Sequence, residues 1–155
     1  MKIAFGMIVF EGDYVLKECL EQVYPFASQI LISEGPVSYW QRQGRTTSLD
    51  DTNKIISEFP DPENKIKIVH GQFNEKDDQC RAYMKHINDD IDYIWNLDSD
   101  EVYKTEDLEK MINFRSAIMK AMSKNLYDVF ICNSHESIHV AQTLGMEENI
   151  QIIAY

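Results

Sequence analysis

No stretch of this sequence approaches the ~18 consecutive apolar residues that a membrane-spanning helix needs, and its apolar runs are strand-sized. Cysteine is scarce: Cys19, Cys80 and Cys132 lie far apart, are odd in number and form no C-x-x-C. That spacing argues against a cysteine-based zinc site. It fits reduced thiols, so a cytoplasmic protein is expected. Positive charge is also short, with 15 Lys and Arg against 26 Asp and Glu and a net charge of −11. Broad nucleic-acid or anionic-membrane binding needs basic patches, and neither is expected here. A small anionic ligand is compatible with this charge if a metal ion or a few placed Arg and Lys receive it. The start, "MKIAFGMIVFEGDY", has one Lys and a short apolar run, then meets Glu11 and Asp13 without a small-residue cleavage site. It reads as a first strand and not as a signal peptide.

What is present suffices for a folded core. The chain has 155 residues, of which 44% are hydrophobic and 26% charged. Length alone suggests one domain, or one and a piece of another, and the charge content is that of globular proteins.

Strand and helix signals alternate along the chain. "KIAFGMIVF" is β-branched and aromatic and is bounded by "EGD". "DYVLKECLEQVYPFA" places Val15, Leu16, Cys19, Leu20 and Val23 at helical spacing and closes on Pro25. "QILISEG" predicts a second strand, stopped by Gly35-Pro36, and "PVSYWQRQGRTTSL" has neither period and is expected to be a loop. "DDTNKIISEF" predicts a helix, "KIKIVHG" a third strand, "DDQCRAYMKHI" a helix and "DYIWNLD" a fourth strand. "TEDLEKMINFRSAIMKAMSKN" begins with Thr105 in N-cap position and predicts a long helix. "YDVFICNS", "HESIHVAQTLG" and "NIQIIAY" then predict strand, helix and strand. The order implies an α/β fold: a mostly parallel sheet sandwiched by helices, with right-handed crossovers.

Ligands of such sheets bind beyond the carboxyl ends of the strands. Here those ends are Phe10-Glu11-Gly12, Ser33-Glu34-Gly35, His70-Gly71 and Asp98-Ser99-Asp100. The last is followed by Glu101, so three carboxylates crowd four residues at the end of an apolar strand. Like charges repel there unless something positive offsets them. A D-x-D of hard oxygen ligands suits Mg²⁺ or Mn²⁺, which keeps other positions for water and phosphate oxygens. The competing explanation is a solvated acidic turn before a helix.

"KIAFGMIVFEGDYVLKECLEQVYPFASQILISEG", "DDTNKIISEF", "KIKIVHG", "RAYMKHI" and "DYIWNLDSDEVY", in this order, resemble the nucleotide-sugar half of a GT-A glycosyltransferase similar to family-2 enzymes. The resemblance covers roughly residues 1–110. It implies a Rossmann-like GT-A nucleotide-binding domain, a truncated one here, with residues 111–155 as a helix and strand-helix-strand extension, part of a further module. It also implies a metal-dependent transfer of sugar from a nucleotide-sugar donor, UDP-linked or related, to a sugar, peptide or lipid acceptor. By the resemblance Val9, Phe10 and Glu34 hold the nucleoside, and Arg81 faces the base or diphosphate. Asp98 contacts the ribose or a metal-bound water, and Asp100 the metal. Each has an ordinary alternative: Glu34 as a turn residue, Arg81 as a surface charge pairing with Asp77 or Asp78, and Phe10 as core. Arg42 and Arg45 are either a phosphate clamp or solvated charges.

The chain departs from the family in two ways. Glu11-Gly12 stands where the family commonly has Asn. The segment after the D-x-D does not look like the family's acceptor half, which carries the general base. It resembles instead the end of the N-terminal domain of a GT-B glycosyltransferase, and no catalytic base is assigned. A non-catalytic nucleotide-sugar binding fragment is therefore one alternative. A zinc peptidase is another, because "HESIH" is a literal H-E-x-x-H, with His135 and His139 on one helix face and Glu136 as base. It lacks a third ligand: Gln142 and Gly145 occupy the places of the longer pattern's Gly and His. A sugar nucleotidyltransferase would share the layout, but no Gly-rich phosphate loop follows the first strand.

Overall fold

Four short apolar segments pair into one sheet, in a computed structural model that describes residues 1–122, 131–132 and 153–154. The strands are β1 (Ile3–Val9), β2 (Gln29–Glu34), β3 (Ile66–His70) and β4 (Tyr93–Asp98). Their order is β3-β2-β1-β4, and every pairing is parallel. This is the mostly parallel α/β sheet that the alternating pattern implies. β1 and β2, in the middle, are buried along nearly their whole length, as strands covered on both faces must be. β3 lies at an edge and is largely exposed.

The connections are α1 (Leu16–Val23), α2 (Ser38–Gln41), α3 (Thr52–Glu58) and α4 (Lys76–Met84). α1 buries Leu16, Cys19, Leu20 and Val23, four of the five residues whose spacing predicts it; Val15 is its half-buried N-cap. α4 brings Tyr83 onto Ala4 and Leu31, with Ile8, Cys80, Ile87, Ile91 and Ile94 around them. Gly6 makes that approach possible, because a Cβ there would lie 2.6 Å from the Tyr83 ring. The Tyr83 hydroxyl donates to Asn96 Oδ1 at 2.9 Å, so the ring also ties α4 to β4. On the alternate face of the sheet Phe5 stacks on Trp95, ring centroids 5.6 Å apart.

Two local expectations need revision. "PVSYWQRQGRTTSL" is not wholly irregular: Ser38–Gln41 form one helical turn, with Trp40 and Gln41 N–H donating to the Val37 carbonyl at 2.9 and 3.1 Å. The Gln41 amide donates to the carbonyls of Pro36 and Phe73, and this tertiary anchoring holds a turn too short to show any period. The long helix α5 (Thr105–Met122) starts one residue earlier in its capping. The Lys104 carbonyl, not that of Thr105, receives the first helical bonds, from Asp107 and Leu108.

The chain divides into two compact units, Met1–Tyr103 and Lys104–Tyr155. The second contains α5 and two short strands, β5 (Ile131–Cys132) and β6 (Ile153–Ala154), which pair in parallel. "HESIH" lies outside the described residues, as does the helix expected around it. None of the described helices is long and apolar enough to cross a membrane.

Candidate functional site

Parallel register brings the strand ends to one rim. Val9 pairs with Glu34, Glu34 with His70, and Ile8 with Asp98. Beyond β1 the chain turns sharply at Glu11, whose φ of 54° is left-handed. The two N–H groups of the turn are already engaged, Glu11 donating to Ser48 Oγ at 2.9 Å and Gly12 to Thr52 Oγ1 at 2.8 Å. The loop before α3 is thus fastened across the end of β1.

A cleft of about 280 Å³ opens on this rim. Ile8, Val9, Gly12 and Gly35 line it at the ends of β1 and β2. Asp98, Ser99, Asp100 and Tyr14 stand toward β4, and Phe10, Val37 and Trp40 toward β2, with Lys76 and Gln79 from α4. Gly35 has to be glycine: its φ is 144°, and a Cβ there would lie 1.9 Å from the Gly71 carbonyl oxygen.

Of the residues singled out in the sequence, Val9, Phe10, Asp98 and Asp100 meet in this cleft. Glu34 and Arg81 are not among its lining. Glu34 is 1% exposed; Oε1 accepts from the Ser48 N–H at 3.0 Å and Oε2 lies 3.1 Å from His70 Nδ1. It faces a neighbouring cavity lined also by Thr46, Thr47, Asn53, Lys54 and His70. The Arg81 side chain is 71% exposed and pairs with Asp78 at 3.0 Å, one helical turn away. Arg45 pairs with Glu11 and lies over the Phe10 ring at 5.6 Å, while Arg42 is exposed. Five cleft residues carry no periodic or motif signal in the sequence: Tyr14, Val37, Trp40, Lys76 and Gln79. Trp40, beside two arginines in a segment without period, was the nearest to visible.

The three carboxylates after β4 play different parts. Glu101 folds back, its Oε2 accepting from the Asp98 N–H and the Tyr103 hydroxyl, each at 3.2 Å. Asp98 and Asp100 are exposed to the cleft, and Asp100 Oδ2 accepts from the Tyr14 hydroxyl at 3.3 Å. Their combined field is negative, and neighbouring groups register it. Burial first, then Glu101 and Asp100, pushes the Cys19 thiol up to about 12. Burial and then Glu101 pushes the Tyr103 phenol up to about 12 as well. Loss of hydration and then Asp100 raise the Tyr14 phenol. Burial opposes any charge on these groups; the smaller contribution from the carboxylates opposes an anion in particular and would favour a cation.

No cluster of three or more His, Cys, Asp or Glu poised for a metal occurs among the described residues. Mg²⁺ and Mn²⁺ do not require one: they are held by one or two carboxylates together with substrate phosphates and water. Asp98 and Asp100, hard oxygen donors in a negative field, fit such an ion.

The family model for glycosyl transferase family 2 matches residues 46–142. The chain belongs to this family. Comparison with curated proteins and with solved structures gives no match. As a family-2 glycosyltransferase the chain is an enzyme of glycosyl transfer with a GT-A nucleotide-sugar domain, built to take a nucleotide-sugar donor and an acceptor. The matched segment contains Arg81, Asp98 and Asp100 and leaves Val9, Phe10 and Glu34 ahead of it.

Proposed function

We propose that the cleft binds a nucleotide-sugar donor, UDP-linked or related, together with Mn²⁺ or Mg²⁺, and that the sugar passes from it to a sugar, peptide or lipid acceptor. The observation that carries this is the meeting of Val9, Phe10, Asp98 and Asp100 in one cleft of a family-2 chain. In this reading Val9 and Phe10 flank the nucleoside. Asp98 takes the ribose or a metal-bound water, and Asp100 takes the metal. Bound there, the ion would neutralise charge on the diphosphate as it leaves. Glu34 supports the nucleoside end by holding the Ser48 loop against the rim. Lys76, which lines the cleft, gives the diphosphate the cationic contact from α4; Arg81 would have to leave Asp78 to share it. Tyr14 keeps the outer carboxylate in place through its hydroxyl.

The proposed division is a donor-binding domain over residues 1–110 and an extension over 111–155 that belongs to a further module. A cytoplasmic setting is supported by the free thiols of Cys19 and Cys80. Calorimetric titration with UDP tests the central claim. Binding is expected in Mn²⁺ and not in EDTA, and equal affinity in the two would remove the metal from the reading.

A further inference from the structure

Trp40 lines the cleft without a role in the proposed donor site; it follows β2 on one side of β1, and the two aspartates follow β4 on the other. Its backbone is fixed on both sides. Its N–H donates to the Val37 carbonyl at 2.9 Å, and its own carbonyl accepts from Gln43 and Arg45 at 3.0 and 3.1 Å. The adjoining Gln41 amide locks the turn to Pro36 and Phe73, at 2.9 and 2.6 Å. The indole is half-buried, 5.8 Å from the Phe10 ring and tilted 41° to it, and Tyr39 meets it edge-on at 5.0 Å. The Arg45 guanidinium, paired with Glu11, lies over the Phe10 ring at 5.6 Å. An anchored aromatic group and a carboxylate pair thus line one cleft.

An occupant matching both is flat and π-faced at one end and anionic at the other, where a cation can bridge it to the aspartates. A nucleoside diphosphate has that form. We infer that Trp40 stacks on the nucleobase, with Phe10 as the second aromatic contact, and so positions the donor. This rests on the donor-binding reading of the cleft. A stack of this kind recognises any base by its face and is insensitive to the hydrogen-bonding edge. Trp40 therefore strengthens binding across bases, and the choice among bases falls to other residues.

Trp95 is 2% exposed and stacked on Phe5, and the fluorescence change that is lost in Trp40→Leu reports Trp40. UDP, GDP and ADP, each with Mn²⁺, are titrated into the protein, with Mn²⁺-pyrophosphate as the probe that has no base. The nucleotides that bind are expected to quench the fluorescence, and pyrophosphate is not. Trp40→Leu should weaken their calorimetric affinity by roughly ten- to a hundredfold, from the usual strength of a base–aromatic stack. Pyrophosphate affinity should be unchanged, and Trp40→Phe should stay close to the parent. Circular dichroism and thermal melts check that both variants fold; the half-exposed position predicts that they do. Equal loss of pyrophosphate would make Trp40 a shaping residue of the cleft and overturn the inference. Unchanged nucleotide affinity in Trp40→Leu would overturn it too, and with a raised acceptor KM would move Trp40 to acceptor binding. A parent protein that binds neither nucleotides nor pyrophosphate would sink the donor-site reading itself, and this inference with it.

Discussion

Replacing Glu34 separates support of the rim from contact with the ligand. Its carboxylate is 1% exposed and serves two partners, the Ser48 N–H at 3.0 Å and His70 Nδ1 at 3.1 Å. In Glu34→Ala the Ser48 N–H, in a residue itself 6% exposed, loses its acceptor. A buried donor left unpaired costs about 1–3 kcal/mol, and hydrogen bonds to a charged group sit in the upper part of the usual range. The expected destabilisation is therefore about 2–3 kcal/mol. Glu34→Gln keeps an amide oxygen for Ser48 and removes the negative charge beside His70, whose side chain is 61% exposed. With one partner open to solvent, that contact is worth about 1 kcal/mol. Urea unfolding followed by circular dichroism measures both variants, and the alanine variant should also melt on the order of 10 °C lower. If Glu34→Ala unfolds within about 0.5 kcal/mol of the parent, the carboxylate is not a clasp and the burial argument fails. If Glu34→Gln keeps its stability but loses tenfold in UDP–Mn²⁺ affinity, the carboxylate touches the nucleoside directly.

Three further outcomes are expected. Asp100→Ala should abolish metal-dependent nucleotide binding with stability unchanged or slightly raised, because the residue is exposed and its loss relieves crowding among like charges; calorimetry and a melt check both halves. Gly35→Ala should cost at least about 3 kcal/mol or prevent folding, from backbone strain added to the collision with the Gly71 carbonyl. Gly12→Ala, whose Cβ would meet Val9 and Ser99 at ordinary contact distances of 3.5 and 3.6 Å, is the mild control. Stability should fall as pH rises from about 9 towards 12. Cys19 and Tyr103 keep their protons in the native state to about 12, whereas their ordinary values are 9.0 and 10.0, so the unfolded chain releases them first. Their contribution is complete below the unfolded values and lost on the alkaline side. Urea midpoints across that range should decline, and less steeply in Cys19→Ala; parallel slopes would show that Cys19 is not involved.

The layout of the sheet unit was legible because each strand and helix carries its own period: Leu16, Cys19, Leu20 and Val23 recur at helical spacing and are the residues α1 buries. The α2 turn was not, since four residues cannot display a period and long-range carbonyls anchor it. For the cleft, a strand end fixes where a residue sits but not where a long side chain reaches. Asp98 and Asp100 are short and stay at the rim. Glu34 turned inward to the Ser48 N–H, and Arg81 took the acid one turn away, choices that depend on neighbours brought by folding. Tyr14, Lys76 and Gln79 reach the cleft for the same reason, from segments whose sequence marks no site.

The strand order also bears on how the cleft comes into being. Ala4 pairs with Gln29, 25 positions along the chain, and on its other side with Ile94, 90 positions along. Closing the longer loop carries about 1 kcal/mol more entropy cost than the shorter one. Pairings of such sequence separation are slow to form. β1, β2 and β3 can assemble as a local unit, but Val9 and Asp98 become neighbours only when β4 docks on the far side of β1. A chain arrested before that step has a sheet and one side of the cleft, but lacks Asp98 and Asp100, the residues proposed to take the cation. Ligand binding is then a measure of completed folding, and a donor nucleotide with its metal should act as a late clamp that slows the undocking of β4.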